Sequence, residues 1–256
     1  MESPDWHVLY HDYSAVASQL HREGRYKEAI LVSTQAYEVA PVGSSEQGVA
    51  ARNNAAHFDR IGGQTDTAEH WANIAQEIHG NILESGNLDN NPDALRIAYR
   101  ENAATLLYVG AIGLRRDIEA QLAGQASSDQ KALYYLRRAW TDLQHAQALA
   151  PERKIDQYLI NAARRLALGF AVEGEGRIEN RLSGVLVGAY ATALAFISES
   201  PRFVAEVNPS LTKAERYRAR KRALIGGLAS IVVNVLIAEP PKRRKIFALN
   251  LADRVL

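Results

Sequence analysis

The sequence predicts an all-α protein built from antiparallel helical hairpins, and three observations carry that expectation. Nearly every segment spaces its apolar residues at helical period, and almost none alternates at period two. Residues that start and stop helices recur along the whole chain. Alanines in the first two hairpins repeat with one fixed offset. With 256 residues, 47% of them hydrophobic, the chain can bury a substantial core as one continuous array. Only 17 glycines and 8 prolines argue against long disordered tracts.

The helices follow in order. The first is expected over 4–22, where Ser3 caps and Pro4 fills a first-turn position that needs no N–H donor. The second covers 25–40 and stops at Pro41. The third and fourth span 46–61 and 65–85. Asn91-Pro92 repeats the cap-then-proline device and opens a fifth helix over 92–122. A sixth over 129–149 ends at Pro151, and a seventh spans 152–173. The eighth, 176–198, halts before Pro201. Thr212 and Glu215 have capping-box spacing at the head of the ninth, 212–238. Pro240-Pro241 separates it from the tenth, 241–254.

Internal repetition is specific in the first two hairpins. Ala17, Ala29 and Ala36 reappear as Ala56, Ala68 and Ala75, each displaced by 39, and Gly24 and Gly63 share the displacement. Antiparallel helices approach closely only where no large side chain intervenes, and alanine allows this without loss of helix propensity.

The stretch "EGRYKEAILVSTQAYEVAP", Glu23 to Pro41, resembles the second half of a tetratricopeptide repeat. The family's pattern is a small residue in helix A, a Gly-x-Tyr turn, two alanines in helix B and a closing proline. Here these are Ala17, Gly24-Arg25-Tyr26, Ala29, Ala36 and Pro41. The second unit keeps glycine and alanines but has Thr65 for the aromatic and Gly80 for the proline. Its period exceeds the family's usual ~34 residues, an excess that fits the "VGSSEQG" linker at 42–48. "HAQALAP", residues 145–151, is similar to the helix B ending, with Ala139, Ala146 and Pro151 in register.

The resemblance implies an α-solenoid, with a tetratricopeptide-like region over 1–125 and helical hairpins over 126–256 that continue and cap the stack. It also implies a concave surface that binds a peptide or helix, hence a non-enzymatic adaptor. Some such domains grip a C-terminal carboxylate with Lys, Arg and Asn on successive A helices. Ser14 and Ser18 occupy the first positions and supply no charge. Asn54 matches the second helix, while Arg96 and Arg100 lie one turn apart on the third. Two guanidiniums and an amide suit an acidic or carboxylate-terminated protein segment. Asn53 and Tyr99 stand behind them as further candidates for peptide binding.

Other chemistries find little support. The absence of cysteine excludes disulfides, thiolate zinc sites and a cysteine nucleophile. The N-terminus lacks the charged start and apolar run of a secretory signal, so a cytoplasmic protein is expected. His7 and His11 lie one turn apart, but Asp12 points off their face and no third ligand follows, so no metal is expected. Ser183 and Ser198 lack a nucleophile elbow, and "EGEGR" at 173–177 is a turn without a phosphate-loop lysine. Glu173, Glu175 and Glu179 have no evident cleft around them. No cofactor and no catalysis are expected.

The rival readings lie in the second half. Residues 1–128 hold 9 Lys+Arg against 17 Asp+Glu, and residues 129–256 hold 21 against 12. Such polarity suits partner steering or head-to-tail self-association. Two charge-free runs, 183–198 and 223–238, include Gly184-x-x-x-Gly188, a spacing that lets helices approach closely in membranes. Sixteen residues rise only about 24 Å as a helix, short of a bilayer's roughly 30 Å hydrocarbon core. Asn234 also interrupts the second run. Buried helices are therefore the leading expectation, and membrane association is the alternative. Lys213, Arg216 and Arg220, with Lys242, Arg243 and Arg244, are the candidates if the basic rear meets nucleic acid or lipid.

Overall fold

The computed structural model describes residues 5–85, 88, 91–125, 131–150, 157–173, 177–197, 213–237 and 242–256. Among the described residues there are ten helices and no strand. They are α1 (Trp6–Arg22), α2 (Tyr26–Val39), α3 (Ser45–Ile61), α4 (Thr65–Glu84) and α5 (Pro92–Leu122). Then come α6 (Ala132–Ala148), α7 (Gln157–Val172), α8 (Ile178–Ile197), α9 (Lys213–Leu236) and α10 (Lys242–Val255). The all-α expectation holds. The chain divides into two compact units, Met1–Ile112 and Gly113–Leu256, and the division falls within α5.

In the first unit each of α1 to α4 packs on its neighbour in sequence. The α1–α2 turn shows why Gly24 is a glycine. Arg25 N donates to Leu20 O and Gly24 N to His21 O, a Schellman closure that puts Gly24 at φ 77°. Gly63, its counterpart, also lies in the left-handed region at φ 65°. Ala40 is extended ahead of Pro41, as the proline ring demands. Ser44 then caps α3 by accepting from Gln47 N, and the Gln47 amide oxygen accepts from Gly43 N. Asn91 caps α5 through Ala94 N, as the sequence predicts. At α1 the described cap is Asp5, accepting from His7 N. The caps expected at Ser3 and at Thr212–Glu215 lie outside the described residues.

The alanine ladders are buried with one departure. Ala17, Ala29, Ala36, Ala68 and Ala75 are core residues, whereas Ala56 is only half-buried. Helix α3 is turned so that Ala50, Ala51 and Ala55 point inward instead. The reason is its surroundings: α3 packs on α2 and α4 and bonds to α5, so its buried face is wider than that of α1. Gly48 lies within this face. A Cβ there would meet His79 Nε2 at 2.6 Å.

In the second unit α6 packs on α7, and α7, α8 and α9 each touch the other two. Helix α10 covers a further side of α9. The Gly184-x-x-x-Gly188 spacing is used here, between the protein's own helices. Gly184 faces Asn234, where a Cβ would meet Oδ1 at 2.0 Å, and Gly188 faces Ser230 and Ile231. Gly227 of α9 returns the favour against Thr192 of α8. Asn234 is fully buried and donates Nδ2 to Ala167 O at 2.7 Å and Ser230 O at 2.8 Å, tying α9 to α7. Arg181 caps the end of α9 by donating to the carbonyls of Asn234 and Val235. Among the described residues no helix is long and apolar enough to cross a membrane.

Two glycines on neighbouring helices should respond oppositely to alanine. Gly80, inside α4 with nothing near its missing Cβ, should gain about 0.5–1 kcal/mol as Gly80→Ala. Gly48→Ala should lose about 1–3 kcal/mol, because the His79 ring is held in place and must be displaced. Urea midpoints of the two variants check the sign of each effect.

Candidate peptide-binding face on α1, α3 and α5

The odd-numbered helices of the first unit are joined by polar bonds between buried or half-buried side chains. His21 of α1 meets His57 of α3, Nδ1 to Nδ1, at 2.8 Å. Arg52 of α3 donates to Glu101 Oε2 of α5 at 2.7 Å. The even-numbered helices back this row. Ser33 of α2 donates to Ala50 O, and His79 of α4 bonds Thr105 of α5 at 2.9 Å. Thr105 Oγ1 donates its one hydrogen to Glu101 O, so the His79–Thr105 bond requires that Nδ1 of His79 carry the proton.

Glu101 is the centre of this network. Its other oxygen, Oε1, accepts from Arg100 at 2.7 Å, so one carboxylate is shared by two guanidiniums. Burial works against the Glu101 charge, but Arg52 and Arg100 outweigh it and hold the carboxyl below its ordinary range. The Glu101 carboxylate is therefore ionised near neutral pH. Tyr10 of α1 lies in the same neighbourhood, and burial pushes its hydroxyl pKa up.

The predicted residues distribute around this bond. Asn53 follows Arg52 on α3 and is half-buried, in a stripe with Val49 and Ala56. Arg100 precedes Glu101 on α5, also half-buried, and Tyr99 lies beside it with similar exposure. Arg96, one turn earlier, pairs with Asp93 at 3.7 Å. Asn54 differs from the other four. Its side chain is 0% exposed and donates Nδ2 to Thr34 of α2, so it points toward the backing helix. The fold thus joins Arg100 to Glu101, leaves Asn53 half-buried one residue after Arg52, and turns Asn54 toward α2.

Sequence reasoning missed Arg52, Glu101 and His79. The available signal was charge and imidazole inside otherwise apolar helix faces, which is costly unless partners exist. It also missed an open cleft of about 480 Å³ between α1 and α2, lined by Val16, Leu20, Leu31 and Arg25. Arg25 there is already neutralised by Glu23 and Glu28. In the second unit Glu173 lies in a turn, as read from the sequence, and from there caps α6 by accepting from Leu133 N at 3.0 Å. Burial and the neighbouring Asp117 push its pKa up to about 7.

Lys213, Arg216 and Arg220 fall in the first turns of α9, and Lys242 and Arg243 in the first turn of α10. Their side chains lie outside the described residues, while Arg244 is exposed. Among the described residues no group of three or more His, Asp or Glu could hold a metal ion. Comparison with protein-family models, curated proteins and solved structures finds no match to this chain.

Two outcomes test the network. Glu101→Gln leaves Arg52 buried against a neutral partner and should cost about 3–5 kcal/mol, read as a fall in the urea midpoint. The second concerns acid. Burial, aided by His21, lowers the His57 pKa to about 4, and burial, aided by Arg52, does the same to His79 against the opposing pull of Glu101. The unfolded chain, with ordinary imidazoles, binds more protons between about pH 6.5 and 4, so stability falls as pH falls through that window. Each histidine should cost about 2 kcal/mol by pH 5. Glu173 has the opposite sign, its pKa being raised, so its share of stability is lost as pH rises through about 7. Hydrogen exchange at pH 7.5 and pH 5 should show α3 and α4 losing protection in acid, a loss reduced by His79→Gln. Uniform protection at both pH values in α3 and α4 would contradict the assignment.

Proposed function

We propose that residues 6–112 form a tetratricopeptide-like superhelical scaffold whose α1, α3 and α5 face binds a protein segment with an acidic or carboxylate end. The observation that carries the reading is the Glu101 carboxylate shared by Arg52 and Arg100, which fixes α3 on α5 where Asn53, Arg96 and Tyr99 are carried. Arg96 and Tyr99 on the next turn extend that chemistry to planar hydrogen bonding and aromatic contact. Support for the stacked arrangement comes from helices that pack on their sequence neighbours and from the paired left-handed glycines, Gly24 and Gly63. The front half is net acidic, but a charged end that reaches the face meets the local cations at contact distance, where screening is weak. No catalytic role is part of the proposal.

The roles are specific. Arg96 would grip the carboxylate as an ion-pair donor, with Asp93 as its resting partner. Asn53 would hold the segment's backbone through its amide, and Arg100 would add field while remaining anchored on Glu101. Asn54 would act only by fixing α3 on α2.

A display library of peptides with free C-termini, followed by fluorescence anisotropy on the best binder, tests this. Arg96→Ala should weaken binding about 10- to 100-fold with an unchanged melting curve, as expected for a lost charged hydrogen bond. Amidation of the peptide's C-terminus should cost about as much. Equal affinity of the free and amidated peptides, together with no effect of Arg96→Ala or Asn53→Ala, would exclude this face.

A further inference from the structure

We infer that the α8–α9 face of the second unit docks on an anionic membrane surface, lying in the interface without crossing it. The inference is independent of the peptide face in residues 6–112. Helix α9 exposes Tyr217, Lys221, Ile225, Leu228, Val232 and Val235 at successive steps of four and three residues, which places them along one side of the helix. The opposite side, with Ser230, Val233 and Asn234, is buried. Helix α8 repeats the pattern with Ile178, Leu182 and Leu186 at steps of four, Leu186 being 70% exposed. Its Gly184 and Gly188 face α9.

The two stripes belong together. Both helices rest on α7, so their exposed sides point away from it. The antiparallel contacts of Gly184 with Asn234 and Gly188 with Ser230 bring Leu186 level with Val232. Large aliphatic side chains with 41% to 70% exposure along two packed helices make a contiguous apolar patch of a kind that soluble surfaces rarely leave open. The core-facing sides carry Gly184, Gly188, Gly227, Ser230 and Asn234 beside Leu194 and Val233, and a row of large aliphatic residues is still left on the outside.

Charge decides what covers the patch. Lys221 lies on the α9 stripe itself, one turn before Ile225, and is exposed. At the head of α10, Lys245 and Ile246 line a separate cleft with Gln121 and Gly124 at the end of α5, so the charge on the patch itself is that of Lys221. Arg177 is exposed beside Ile178, and Glu179 is the exposed acid next to it. The residue total for 129–256, 21 Lys+Arg against 12 Asp+Glu, has the same sign. A second copy would bring two basic surfaces together across the patch. Anionic lipid headgroups would instead neutralise the rim while their acyl boundary receives the aliphatic stripe.

Co-sedimentation of the full chain with vesicles tests this, comparing phosphatidylcholine alone with equal parts phosphatidylcholine and phosphatidylserine. The chain should pellet with the anionic vesicles, bind the neutral ones at least about tenfold more weakly, and release as salt rises. Leu228→Glu with Val232→Glu changes only exposed positions and should lose at least about tenfold in vesicle binding with its melting curve preserved. Lys221→Gln should weaken binding at low salt and reduce its salt dependence. A chain that stays in the supernatant with both vesicles overturns the inference, as does binding unaffected by the Leu228→Glu and Val232→Glu pair. A lipid-indifferent dimer that the same pair dissociates would assign the face to a second copy instead.

Discussion

Helices in this protein meet where one of them has almost no side chain, and most other features follow from that constraint. Gly48 admits the imidazole of His79, Gly184 admits the amide of Asn234, and Gly227 admits Thr192. Close approach of two backbones strengthens dispersion contacts but leaves little room for water. A polar side chain caught at such a contact is stabilised only by the partners the protein itself supplies. Asn234 finds them only in part, Nδ2 donating to two carbonyls while Oδ1, which faces Gly184, accepts from no group among the described residues, and His79 bonds Thr105 through Nδ1. Small residues and buried polar bonds are therefore two consequences of one packing mode.

The Arg52–Glu101–Arg100 cluster shows what this mode adds in the first unit. Removing these charges from water is costly, and their attraction offsets the cost only when the geometry is good. A hydrophobic pair of equal volume would serve stability as well. The ionic version fixes register, because a slip of α5 by one residue would strand a charge. Arg52 also reaches Glu101 O, so the guanidinium is tied to both backbone and side chain of α5. The same bond holds the helix that carries Arg96 and Tyr99 at a fixed height against Asn53. Stability and the shape of the candidate face thus depend on one interaction.

The second unit applies the constraint with a different remainder. Helices α8 and α9 meet through small residues, and while Leu194 and Val233 are buried, Leu182, Leu186, Ile225, Leu228 and Val232 are left exposed. The arrangement explains why two charge-free runs look like membrane spans although neither is long enough to be one. Their hydrophobicity is real, but it is divided between a thin internal seam and an external stripe.

The sequence by itself determined the helices, most of their ends and the turn glycines, because those depend on local rules. Capping, the left-handed region at Gly24 and the extended residue before Pro41 involve only near neighbours in the chain. It located Asn53, Arg96 and Arg100 as candidates but could not separate Asn53 from Asn54. Adjacent positions on a helix differ by about a hundred degrees, and which of them faces inward depends on what packs against it. Tertiary structure alone decided that Ala55 is buried rather than Ala56, that Glu173 caps a distant helix, and that Arg52 finds Glu101. Those choices rest on contacts between residues 40 to 49 positions apart, whose energies no local pattern records.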